Sequence, residues 1–165
     1  ARTRAQGYNG PARWEWITKV KQAIAIPVIA NGDIHSVESA VQCLQETGAD
    51  GVMCSRGTLG YPFLVGEIDY FLKTGDRRPP PTVVERLRCA QEHLQLLYDY
   101  KGDRGIYQSR KHMTWYAKGF PGAAELRQQL CQIESVQQGV ELLDAAIASQ
   151  RPSSPDARAG SLVGC

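Results

Sequence analysis

Apolar residues recur at helical spacing near the start of the chain. Trp14, Ile17, Val20 and Ile24 share one face, which predicts an amphipathic helix over roughly residues 12–24. Residues 1–11 before it are polar and glycine-containing and read as a loop. A short apolar run, Ile26–Ala30, follows with Pro27 at its start, where a missing N–H is tolerated, and reads as a buried parallel strand. Asn31-Gly32-Asp33 ends it. Ser36 is placed as an N-cap, with Glu38 in the first turn, where a carboxylate favours the helix dipole. Val37, Ala40, Val41 and Leu44 then mark a second apolar helix face, Gly48 closes it, and Gly51–Cys54 reads as a second strand. Strand, helix and strand make a βαβ unit with an expected right-handed crossover, and hence an α/β fold with a parallel sheet. Two strands do not make a stable sheet alone, so neighbours are expected.

Beyond Gly57 the pattern turns helical. A helix is predicted from Pro62 to Leu72, then a charged, proline-rich linker containing Arg77-Arg78-Pro79-Pro80-Pro81. Val83, Leu87, Ala90, Leu94 and Leu97 mark one long apolar face, and a second helix is expected over about 105–118. Gly119-Phe120-Pro121-Gly122 is a turn, and two shorter helices follow, the last carrying Val136, Val140, Leu143 and Ile147. The expected organisation is an α/β part over 1–73, a linker over 74–81, an antiparallel helical bundle over 82–149 and a disordered tail over 150–165.

Composition narrows the setting more than the function. A net charge of +2 over 165 residues describes a globular chain and does not by itself demand nucleic acid. No apolar run is long enough to span a bilayer, and the start, Ala1-Arg2-Thr3-Arg4, has no signal-peptide character. Cysteines stand at 43, 54, 89, 131 and 165, an odd number without a C-x-x-C pair. That argues against a disulfide framework and a thiolate zinc site, and for a reducing, cytoplasmic compartment. His35, His93 and His112 have no ligand spacing, so no metal is expected; His93, between apolar helix positions, reads as structural.

The candidate chemistry lies at the two strand ends. Ligands of parallel α/β folds sit at the C-terminal ends of the strands. Asn31-Gly32-Asp33 offers a close backbone approach and a side-chain amide, and the amides ahead of the helix at Ser36 could face an anion. Ser55-Arg56-Gly57 offers a hydroxyl, a guanidinium and a close-approach glycine. Each turn alone is also ordinary loop chemistry. At the ends of adjacent strands, together, they read as a site for one phosphate.

A resemblance then becomes specific. Arg2-Thr3-Arg4-Ala5-Gln6-Gly7-Tyr8, Ile26-Pro27-Val28-Ile29-Ala30-Asn31-Gly32-Asp33-Ile34, Thr47-Gly48-Ala49-Asp50-Gly51-Val52-Met53 and Arg56-Gly57 occur in order. With Arg110-Lys111-His112 and Trp115-Tyr116, they resemble the second half of a bacterial-type tRNA-dihydrouridine synthase over about residues 1–149. The resemblance implies the C-terminal part of a (β/α)8 TIM barrel followed by an all-α bundle that helps hold tRNA. It also implies FMN as cofactor, NADPH as reductant, and reduction of the C5–C6 bond of tRNA uridines by a cytoplasmic, monomeric enzyme. Asn31, Gly32 and Asp33 would contact the FMN ribityl-phosphate. Ser55 and Arg56 match the family's Gly-Arg pair, with serine as a departure.

The family's N-terminal flavin loop, its flavin-contacting lysine and its general-acid cysteine have no counterpart here. They are expected upstream, with the chain as a C-terminal piece. No catalytic residue is therefore assigned, and Cys54 has the wrong surroundings for the acid. On the RNA side the resemblance points to Arg110 and Lys111, and to Arg2 and Arg4 in the loop over the barrel mouth. Read from the residues alone, the same helix could be ordinary and amphipathic with Trp115 in the bundle core, so Trp115 stays open. The rival readings are another FMN barrel, such as a dihydroorotate-dehydrogenase-like oxidoreductase, and a non-catalytic RNA-binding remnant.

Overall fold

The computed structural model describes residues 2–7 and 9–150. The predicted tail falls, from residue 151 on, outside the described residues. The order of elements is α1 (Glu15–Ala23), β1 (Ile29–Asn31), α2 (Val37–Thr47), β2 (Gly51–Met53), a single 3₁₀ turn (Arg56–Thr58), α3 (Phe63–Thr74), α4 (Val83–Lys101), α5 (Asp103–Tyr116), α6 (Ala123–Leu130) and α7 (Val136–Ser149).

Several boundaries move from their predicted places for identifiable reasons. Helix α1 starts later because Ala12 donates its N–H to the Asp33 carboxylate at 2.8 Å, drawing the preceding segment to the strand end. Strand β1 is shorter at its start because Val28 N–H goes to Asp50 Oδ2 at 2.7 Å and Pro27 has no N–H to give. Strand β2 stops at Met53, whose carbonyl accepts from the Asn31 side chain at 2.9 Å. Lys21 grips the same Asp50 at 2.7 Å and holds its carboxyl below the usual range, so α1 is tied to the entrance of β2.

The strands pair in parallel, Ile29 opposite Gly51, Ala30 opposite Val52 and Asn31 opposite Met53. Side chains alternate across a strand, so the two faces differ. Ala30 is fully buried against Ile17, Val37, Ala40 and Cys43. The other face is open among the described residues: Ile29 is 58% and Met53 53% exposed. Helix α2 begins as the sequence predicts, at a capping box in which Ser36 Oγ accepts from Ser39 N–H and Ser39 Oγ from Ser36 N–H.

The helices from α4 onward enclose a second apolar cluster. Leu87, Leu94, Met113, Leu130, Ile133 and Leu143 are fully buried there, each contributing about 1.5–3 kcal/mol. A Thr82–Glu85 capping box starts α4. Its neighbour α5 ends where Arg127 donates to Ala117 O at 2.6 Å and Arg86 to Lys118 O at 3.1 Å, satisfying carbonyls that a helix end leaves without partners. The segment predicted as a linker is strapped down: Arg77 pairs with Glu38, and Arg78 lies 4.8 Å from the Tyr70 ring centre. Among the described residues no helix is long and apolar enough to cross a membrane.

Candidate functional site at the strand ends

Parallel pairing in register brings the two polar turns side by side. Asn31, the last residue of β1, bridges them with one side-chain amide, donating to Met53 O at 2.9 Å and to Ser55 Oγ at 2.8 Å. Gly57 makes the close approach possible. A Cβ there would lie 2.2 Å from Ile34 O, so only glycine lets the second turn pass the backbone of the first. The room that this glycine provides, expected to serve a ligand, is thus filled by the neighbouring turn.

The turn after β1 is bent hard. Gly32 has φ 134° and Asp33 φ 58°, a left-handed conformation that aspartate tolerates better than most residues. Trp14 Nε1 holds it by donating to Gly32 O at 2.9 Å. The bend aims the Asp33 carboxylate into a ring of donors. Arg2 Nη2 reaches its two oxygens at 2.8 and 2.6 Å, Ala12 N–H lies at 2.8 Å, Arg56 Nη2 at 3.2 Å and His35 Nε2 at 3.7 Å. Arg2 above all, then the Ala12 amide, holds the Asp33 carboxyl down at about 2, so it is ionised at neutral pH.

Among the described residues, the guanidiniums of Arg2 and Arg56 meet the single carboxylate of Asp33, so the charge balance at this end of the sheet is positive. Arg56 is the more outward of the two arginines, its side chain 46% exposed against 15% for Arg2. Ser55 Oγ accepts from Asn31 and keeps its own proton to donate. Such a set suits a dianionic phosphate. The amide at Ser36, expected to face an anion, is turned to Ser39 Oγ instead, as is that of His35.

The structure therefore brings together Asn31, Gly32, Asp33, Ser55 and Arg56 as the sequence suggests. It adds Arg2, His35 and Trp14, which no local pattern links to the site. Arg2, expected on the RNA side, also serves within the chain: besides Asp33 it binds Gly10 O at 2.9 Å, pinning the N-terminal loop to the strand end. Arg4 stays exposed in that loop.

The remaining candidates lie on α5. Arg110 is half-buried, donating from Nε to Ile133 O at 2.8 Å. Lys111 is exposed, 5.4 Å from the half-buried Trp115 ring. Behind them, His93 Nδ1 meets Tyr116 Oη at 3.1 Å, and burial lowers the pKa of both His93 and His112. No group of three metal-ligating side chains occurs among the described residues. The end of α5 seats on the turn beyond Arg56: a Cβ on Gly60 would stand 2.3 Å from Trp115 O.

Comparison with known proteins places these features in one family. The chain is 71% identical over 150 residues to a probable tRNA-dihydrouridine synthase 1 of Synechocystis sp., covering 91% of this chain and 42% of that protein. It is 48% identical over 127 residues to a probable tRNA-dihydrouridine synthase of Rickettsia bellii, covering 76% of this chain and 39% of the relative. It is 40% identical over 161 residues to tRNA-dihydrouridine synthase B of Xanthomonas axonopodis pv. citri, covering 94% and 48%. The chain thus spans less than half the length of each of these relatives. The profile of the family described as Dihydrouridine synthase (Dus) matches residues 1–151, and the chain belongs to that family.

Proposed function

We propose that this chain supplies the phosphate end of the FMN site and the tRNA-holding bundle of a tRNA-dihydrouridine synthase. Such an enzyme reduces the C5–C6 bond of tRNA uridines with NADPH as the source of electrons. The observation that carries this reading is the pair of strand ends, cross-linked by Asn31 and ringed by cations, in a chain of the Dus family. Residues 1–73 are then the last part of a (β/α)8 barrel, 74–81 the connection and 82–149 the tRNA-binding domain. The open sheet face with Ile29 and Met53 supports this, because apolar strand positions call for covering strands.

Within the site the roles divide by chemistry. Arg56 and Ser55 hold the phosphate by charge and hydrogen bond. Asn31 and Gly32 keep the two turns in register at the ligand. Asp33, ionised, repels phosphate; it acts by aiming Arg56 and Arg2, and as an acceptor for a ribityl hydroxyl. When bound, the flavin supplies the hydride chemistry, and the chain supplies position and charge. The proton donor to the uracil carbon belongs to the part of the relatives that this chain does not span. Lys111, Arg110 and Arg4 serve the RNA side, and the setting is a cytoplasmic monomer.

The test uses purified full-length protein. It should be yellow, and should form dihydrouridine in tRNA when given NADPH. Changing Asn31→Ala and Arg56→Ala together should strip the flavin absorbance. Full retention of colour would remove the strand ends from the cofactor site.

A further inference from the structure

We infer that the stripe of α5 formed by the exposed Arg104, Tyr107 and Lys111 and the half-buried Trp115 is a stacking track for an unpaired segment of RNA, with Tyr107 the ring that receives a base. The inference rests on the proposed tRNA-directed function and gives it a contact mode. The four residues stand three and four apart, so they line one side of the helix. The opposite side, with Ile106, Ser109, Met113 and Tyr116, is buried in the bundle.

Tyr107 is the telling residue. Its ring is 66% exposed, although nothing forces an aromatic residue onto that surface. One face of it is backed by the Arg110 guanidinium, 4.7 Å from the ring centre. That guanidinium is in turn pinned by its bond to Ile133 O at 2.8 Å. The ring is thus held in place from below with its other face toward solvent. A held ring loses little freedom when a base stacks on it, which makes it a better platform than a mobile one.

The charges around it fit an RNA strand. From Arg104 to Tyr116 the helix carries no carboxylate. Lys101, at the end of α4, leans onto the same side through its bond to Gln108 Oε1 at 2.7 Å. Cations alone would serve a duplex backbone; cations flanking the open ring of Tyr107 suit an unstacked base. The track also has a direction. It runs about 17 Å along the helix from Arg104 to Trp115, and the Trp115 end packs on Gly60, just past Arg56 and the proposed flavin phosphate.

The experiment measures binding of intact tRNA to the full-length, flavin-loaded protein across a series of salt concentrations. Tyr107→Ala should weaken binding about fivefold to a hundredfold with the salt slope unchanged, since a stacking contact releases no counterions. Tyr107→Phe, which keeps the ring, should bind as the parent does. Arg104→Ala and Lys111→Ala should each make the slope shallower by about 0.7. Tyr107→Ala binding like the parent, in a protein that still forms dihydrouridine, overturns the stacking track alone. A parent protein that neither binds tRNA nor forms dihydrouridine overturns the track together with the function on which it rests.

Discussion

Asp33 organises the strand end, and Asp33→Asn tests that directly. The substitution keeps the shape and one acceptor oxygen but removes the charge that Arg2, Arg56 and His35 share. A carboxyl held at about 2, against an ordinary value of 3.8, corresponds to at most about 2.4 kcal/mol of stability at neutral pH. The side chain is a quarter exposed, at 26%, and solvent screening brings the expected loss in Asp33→Asn to about 1 kcal/mol. The sign follows from the depressed pKa. The contribution is complete above the unfolded-state value near 3.8 and is lost as pH falls toward 2. Urea unfolding of parent and variant at a series of pH values between 7 and 3 reads the difference. The gap should be about 1 kcal/mol from pH 7 down to pH 5, and about half of that at pH 3. A gap of the same size at pH 7 and pH 3 would show that the charge of Asp33 plays no part, and that only its shape matters.

Two further substitutions probe the packing that holds the site in place. Gly60→Ala sets a methyl 2.3 Å from Trp115 O, a backbone atom, at a φ of 68°; a loss of about 2–4 kcal/mol in chemical denaturation is expected. A loss under about 0.5 kcal/mol would mean that the helical bundle is not seated on the turn as described. Leu94→Ala, at a fully buried position of the bundle core, should cost about 2–5 kcal/mol. It should leave flavin affinity unchanged, because Leu94 packs in a different cluster from the strand ends; a parallel loss of flavin would link the two cores.

Much of the secondary structure is legible because it rests on local physics. Ser36 and Gly48 bracket α2 as a cap and a left-handed stop should, and Trp14, Ile17, Ala40 and Leu94 fall on buried or half-buried faces as periodicity predicts. Val20 and Ile24, placed on the same face as Ile17, are instead 48% and 41% exposed, Ile24 lying past the end of α1. The site motif was legible for the same reason: glycine-bearing turns after short apolar runs mark strand ends. Local chemistry does not reach contacts between residues far apart in the chain. Arg2 and Asp33 are 31 positions apart, and only the fold turns a basic loop residue into the anchor of a strand-end carboxylate. The glycine at 57 was visible, but what it makes room for, the carbonyl of Ile34, was not. On α5 the order of basic and aromatic residues was plain in the sequence. Which cation is tied inward, Arg110, and which ring is left open, Tyr107, depends on where Ile133 lies in the bundle. Sequence by itself determined the order of the elements and the family. Tertiary structure decided which charges meet, because pairing energy depends on distance in space, and chain order does not encode that distance.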